Sequence, residues 1–209
     1  LIRSPPPQTG LLLPEQLVPV AAHCGQMHAL QAVVLRAACR LLNTLRERGL
    51  QPPGLTVSIN LSPVQFRDGR LEEFLMQGLA GTGVEPRDIC LELTENTLVG
   101  DLAGARTQME RLRTRGFALS LDDFGTGYSS LAYLHKLPLD EIKIDRRFVA
   151  DIQNGHDNAP IVDAILTLAT HMQCRIVAEG VETDVQARNR IACCVDVVHW
   201  EYDAPPVRA

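Results

Sequence analysis

Leu119-Ser120-Leu121-Asp122-Asp123-Phe124-Gly125-Thr126-Gly127-Tyr128-Ser129-Ser130 is the stretch on which the fold and chemistry of this 209-residue chain turn. An apolar, strand-like run ends in two adjacent carboxylates and passes into a segment rich in glycine and hydroxyls. Neighbouring side chains on a strand face opposite ways, so the two acids cannot both hide in one core. Two charges placed where a strand gives way to a loop point to a cation site. The Gly125-Thr126-Gly127 spacing is not a Walker pattern and reads as a loop beside the metals.

Working outward, other apolar runs end in the same kind of residue. Ser58-Ile59-Asn60 offers Asn60, a neutral oxygen ligand, and Leu91-Glu92-Leu93-Thr94-Glu95 offers Glu92 and Glu95. Ile142-Lys143-Ile144-Asp145 offers Lys143, and Ala178-Glu179-Gly180-Val181-Glu182 offers Glu179 and Glu182. Alone, Asp123 or Glu182 reads as a helix cap or solvated loop charge, and Asn60 as a turn cap. Glu92 and Lys143, each inside an apolar run, resist that reading because an unpaired buried charge is costly. An all-oxygen ligand set suits Mg²⁺ or Mn²⁺ rather than zinc. Two such ions activate a water and clamp both oxygens of a displaced phosphodiester, with Lys143 orienting the water or neutralising a phosphoryl oxygen. On residues alone, a Mg²⁺ enolase-type barrel with Lys143 as the base stands beside this reading.

Strand candidates are 55–60, 89–93, 117–121, 141–144, 175–178 and 195–198, all short, apolar and partly β-branched, as strands buried on both faces should be. Helical patterns lie between them at 26–48, 71–79, 101–115, 158–172 and 184–191. The first stops at Gly49; the third opens on Asp101, carries basic residues in its last turns and stops at Gly116. Alternating strands and helices imply a parallel sheet covered by helices. No G-x-G-x-x-G follows the first strands, whereas chemistry-bearing residues recur at the C-terminal ends of many strands. The expectation is an α/β fold, a modified (β/α)8 TIM barrel. Six strands plus Leu1-Ile2-Arg3 as the tail of a seventh leave about one N-terminal strand-helix unit outside the sequence.

A hydrophobic content of 45% and a charged content of 22% are those of an ordinary globular domain. A net charge of -5 argues against a DNA or RNA polymer as partner, while an anionic small substrate is compatible with acids offset by cations. No apolar run reaches the length of a membrane span, and a cytoplasmic setting is expected. The six cysteines lack C-x-x-C spacing and read as core filler, with Cys193-Cys194 the one pair of redox interest.

In order along the chain, Asn60-Leu61-Ser62, Glu92-Leu93-Thr94-Glu95, Asp122 to Ser130, Pro138-Leu139-Asp140, Lys143-Ile144-Asp145 and Glu179-Gly180-Val181-Glu182 resemble the motif set of EAL domains, bacterial phosphodiesterases specific for cyclic di-GMP. The resemblance covers nearly the whole chain, 1–209, as one barrel domain. It implies a modified TIM barrel that hydrolyses cyclic di-GMP to linear pGpG with Mg²⁺ or Mn²⁺. Asn60, Glu92 and Asp122 match first-metal ligands, Asp123 a second-metal ligand and Glu182 a further acid. Lys143 matches the lysine that contacts the attacking water, and Glu179 a general base or that lysine's partner. Glu95 matches the residue that holds the Asp122–Ser130 loop; Leu1 and Arg3 match the tail of the Glu-Ala-Leu motif, where the arginine contacts a substrate phosphate. A homodimer and attached signalling domains are also implied. The chain departs from the pattern at Ala22, where the family has an acid, and at His199-Trp200, where it has Gln-Gly. The motif's metal-binding glutamate, expected just upstream of Leu1, and the altered tail at His199-Trp200 set a catalytically degenerate cyclic di-GMP receptor beside the enzyme.

Overall fold

The computed structural model describes residues 14–98, 100–125, 135–148, 159–181 and 197–200. Its centre is a six-stranded, all-parallel sheet in sequential order. The strands are β1 (Val57–Asn60), β2 (Ile89–Thr94), β3 (Ala118–Phe124), β4 (Glu141–Ile144), β5 (Arg175–Val181) and β6 (Val197–Trp200). The order never reverses. Right-handed crossovers that always step the same way put the described connecting helices on one face of the sheet. A doubly wound sheet reverses direction at a switch point and covers both faces. This sheet is therefore part of a barrel wall, curled with its helices outside.

The helices are α1 (Pro14–His23), α2 (Met27–Glu47), α3 (Pro63–Phe66), α4 (Leu71–Leu79), α5 (Glu95–Leu98), α6 (Leu102–Thr114) and α7 (Ala159–Met172). In α2 the residues Gln31, Leu35, Ala38, Cys39 and Leu42 recur at helical spacing and form its buried stripe. Its end closes with Leu50 N–H donating to the Leu45 carbonyl (2.9 Å) and Gly49 N–H to that of Arg46 (3.0 Å), a Schellman cap. The Asp101 carboxylate accepts from Gly104 N–H at 2.9 Å and starts α6; Arg111 and Arg113 lie in its last turn. Short α3, capped reciprocally by Ser62 and Gln65, and α5 are too brief for periodicity to reveal.

The central strands β2 and β4 are buried on both faces but are not apolar on both, and on β1 the lumen-side Ser58 and Asn60 are exposed. Ile59, Leu91, Leu93, Leu119, Leu121, Ile142, Ile144, Ile176 and Ala178 share one cluster with Leu35, Leu42, Leu75, Met109, Leu112, Ile165 and Ala169 of the helices. The alternate positions, from Ser58 and Asn60 on β1 to Glu179 on β5, face the lumen. The expected uniformly apolar strands are thus corrected: a strand has period two, and here the second face is polar. β1 starts at Val57 rather than Leu55, while β3 and β5 run three residues past the expected ends, through Phe124 and Val181. The expected helix 184–191, residues 195–196 of the last strand, Leu1, Arg3, Glu182 and Cys193-Cys194 lie outside the described residues.

Of the described cysteines, Cys39, Cys90 and Cys174 are buried and Cys24 exposed, all as free thiols. No helix among the described residues is long and apolar enough to cross a membrane.

Candidate active site: a lysine among carboxylates at the barrel mouth

Five neighbouring strands deliver their C-terminal ends to one rim. Asn60 closes β1 in register with Glu92 of β2, and Thr94 of β2 is in register with Asp122 of β3. Lys143 of β4 is in register with Val177 of β5, two residues before Glu179. Lys143 Nζ donates to Glu92 Oε1 at 3.0 Å, Asp122 Oδ1 at 3.0 Å and Glu179 Oε1 at 2.5 Å. An ammonium has three N–H donors, and here three strands supply one acceptor each. Burial opposes the charged lysine, yet Glu92, Glu179 and Asp122 outweigh it and hold the ammonium well above its ordinary value.

The acids are less well compensated. Burial pushes the Glu92 carboxyl up, against the pull of Lys143, and Asp122 adds to the rise. Asp123 is pushed up by burial and then by the charges of Asp122, Asp145 and Glu179. One ammonium among so many carboxylates leaves negative charge in excess, and oxygens of Asp122, Asp123 and Glu179 lie within 4.8 Å of one another. Excess charge and an all-oxygen donor set both fit a hard divalent cation.

A β-bulge explains how two adjacent acids reach one site. The β3–β4 register shifts between Leu121 and Phe124, with Asp123 at a left-handed φ of 54°. The inserted residue lets Leu121 and Phe124 both pack in the core while Asp122 and Asp123 both meet at the mouth. Strand alternation alone forbids this. A positive φ at a non-glycine residue is strain, and it sits here among the ionised groups. β5 repeats the device: register shifts between Glu179 and Val181, with Gly180 at φ 66°. A Cβ there would stand 2.5 Å from Arg146 Cβ, so only glycine fits.

Glu95, the first residue of α5, is buried, and its Oε1 accepts from Gly125 N–H at 2.7 Å, just past the paired aspartates. His199 of β6 is in register with Glu179. Sequence reasoning passed over Asp145 and its neighbours as site residues. Asp123, Asp145, Arg146, Arg147 and Glu179 line a cleft of about 490 Å³ beside the lysine. Asp145 accepts from Arg147 N–H at 2.8 Å and Nε–H at 3.0 Å; burial pushes it up, but those bonds win and hold it low. The available signal was that polar residues continue past the end of β4 without an apolar break.

Fold and site together define an α/β barrel domain with an acidic, lysine-centred mouth. The chain belongs to the EAL domain family, whose match runs over residues 1–205. It is 38% identical over 195 residues to the bifunctional diguanylate cyclase/cyclic di-GMP phosphodiesterase MucR of Pseudomonas aeruginosa, covering 92% of this chain and 28% of that protein. It is 39% identical over 186 residues to the cyclic di-GMP phosphodiesterase NbdA of the same organism, covering 89% of this chain and 24% of that protein. The solved PaMucR phosphodiesterase, a c-di-GMP complex, superposes with a TM-score of 0.79 at 39% identity over 88% of this chain and 74% of that one. The chain thus spans less than a third of the curated relatives it matches.

Proposed function

We propose that this domain hydrolyses cyclic di-GMP to linear pGpG with Mg²⁺ or Mn²⁺ bound at the barrel mouth. The observation that carries the reading is the single ammonium of Lys143 held within 3.0 Å of carboxylates from three strands, beside the paired aspartates. Support comes also from relatives whose names are cyclic di-GMP phosphodiesterases. Asn60, Glu92, Asp122, Asp123 and Glu182 would hold the ions, which supply Lewis-acid activation of water and charge neutralisation at phosphorus.

Hydrolysis joins a water oxygen to phosphorus, breaks the bond to a ribose 3′-oxygen and returns a proton to that oxygen. Lys143 orients the water and offsets charge on the phosphoryl group as it builds. Glu179 acts as the base that takes the water's proton or as the group that aims Lys143; its 2.5 Å contact with the lysine favours the second role. Glu95 holds the start of the loop after β3, and Arg3, with Leu1 beside it, binds a substrate phosphate. We further place the domain, residues 1–209, in the cytoplasm as one module of a longer signalling protein that dimerises.

A receptor that binds without cleaving is the second reading, favoured by His199-Trp200 on β6 where the family has Gln-Gly. Incubation with cyclic di-GMP and Mn²⁺ followed by chromatography separates the two. Formation of pGpG supports the enzyme, tight binding without product supports the receptor, and neither binding nor product overturns both.

A further inference from the structure

The polar inner face of the sheet continues below the mouth. There, strand alternation sets Ser58, Cys90, Ser120, Glu141 and Arg175 on the same side as Glu92 and Lys143. Glu141 and Arg175 are register partners on β4 and β5, with Arg175 Nη2 3.2 Å from Glu141 Oε2. The glutamate side chain is 10% exposed, whereas the arginine is 47% exposed and reaches solvent. On β2, two strands from Glu141, the buried thiol of Cys90 is pushed up to about 12 by burial and then by the charges of Glu141 and Glu92. Register with Ser120 and the Arg175 contact place the Glu141 carboxylate on the lumen face. Ser120, in register between Glu92 and Glu141, is fully buried, and its hydroxyl has no hydrogen-bond partner among the described residues.

Glu141 and Lys143 are two residues apart on one strand and share its inner face. Their Cα atoms are therefore about 7 Å apart, within reach of two long side chains. All three N–H donors of Lys143 have acceptors in Glu92, Asp122 and Glu179. A fourth carboxylate free to turn upward would displace one of them.

We propose that Arg175 is a positioning residue: by pairing with Glu141 it withholds that carboxylate from Lys143 and commits the ammonium to the acids of the mouth. The consequence for turnover rests on reading the mouth as the phosphodiesterase site. The two partners are unequal. Loss of Arg175 leaves an anionic competitor below the lysine. Loss of Glu141 leaves an arginine that already reaches water.

The test exploits the fact that Lys136 and Lys143 are the chain's only lysines, so Lys136→Arg assigns the side-chain NMR signals. In Arg175→Met, kcat is expected to fall roughly tenfold with KM moving less than about twofold, and the Lys143 Cε signal to shift. Glu141→Gln is expected to change neither readout, and the double variant Glu141→Gln/Arg175→Met to restore both. Should Arg175→Met not fold, Arg175→Gln takes its place. A merely structural pair would penalise both single variants alike without recovery in the double; that pattern, or an unmoved Lys143 signal on loss of Arg175, overturns the proposal. If the unaltered protein makes no pGpG, the functional reading fails separately, and the lysine signal still decides whether Arg175 positions Lys143.

Discussion

The two faces of one sheet follow opposite rules. On the helix side Leu91, Leu93, Leu119, Leu121 and Ile142 are completely buried hydrocarbon. On the lumen side the same strands present Glu92, Asp122, Lys143 and Glu179, where polar groups are satisfied by one another. Glu92 and Lys143 are buried and Asp122 and Glu179 half-buried, so the larger difference is what each face asks of its residues. The outer face holds the domain together by removing apolar area from water. The inner face concentrates charge in a low-dielectric place, which costs stability and makes each charge chemically effective.

Variants at the mouth test this division most severely. On the proposed function, Asp122→Asn or Glu179→Gln should lower turnover about a thousandfold, equivalent to about 4 kcal/mol. Melting in chelator should meanwhile be unchanged or raised, because fewer acids share Lys143. A pGpG assay beside a thermal melt checks both, and joint loss of activity and stability would break the contrast. On the opposite face, Leu119→Ala should cost roughly 2–5 kcal/mol in a denaturant titration while turnover per folded molecule persists.

Gly180→Ala probes the seam between the faces. Its positive φ and close approach to Arg146 predict a loss of about 1–3 kcal/mol, with weaker turnover because Glu179 is the preceding residue. A crystal structure of the variant would show whether the bulge survives. The smallest effect is expected outside the barrel mouth, at Asp88. Burial pushes that carboxyl up, but Glu85 N–H and the Arg46 guanidinium, 2.6 Å away, outweigh it and hold it below its ordinary value of 3.8. A folded value below the unfolded one means the stabilisation is present above the unfolded value and is lost as pH falls through the folded one. Asp88→Asn should therefore cost about 1 kcal/mol at neutral pH, and its acid unfolding curve should merge with that of the unaltered protein once pH has fallen through the lowered folded value of Asp88.

Legibility from the sequence followed the regularity and end signals of each element more than its length: the ten-residue α1, with Pro19 inside it, was not expected. α2, α4 and α6 sit within a residue of expectation because period and end signals agree on them. α3 and α5 escaped notice because one turn carries no period. Glu92 and Lys143 stood out because a charge inside an apolar run demands a partner, although nothing local names that partner. Asp145 was passed over because its bonds to Arg147 are made by a turn that leaves no distinctive pattern.

The sequence by itself determined the alternation of strands and helices, the setting of Asn60, Glu92 and Lys143 in apolar, strand-like runs and membership of the EAL family, because these depend on spacing along the chain. Only the tertiary structure decided that the second strand face is a polar lumen, that bulges at Asp123 and Gly180 reset the pleat, and that Lys143 divides its protons among three strands. Those features depend on register between segments far apart in the chain, where a shift of one residue exchanges the faces.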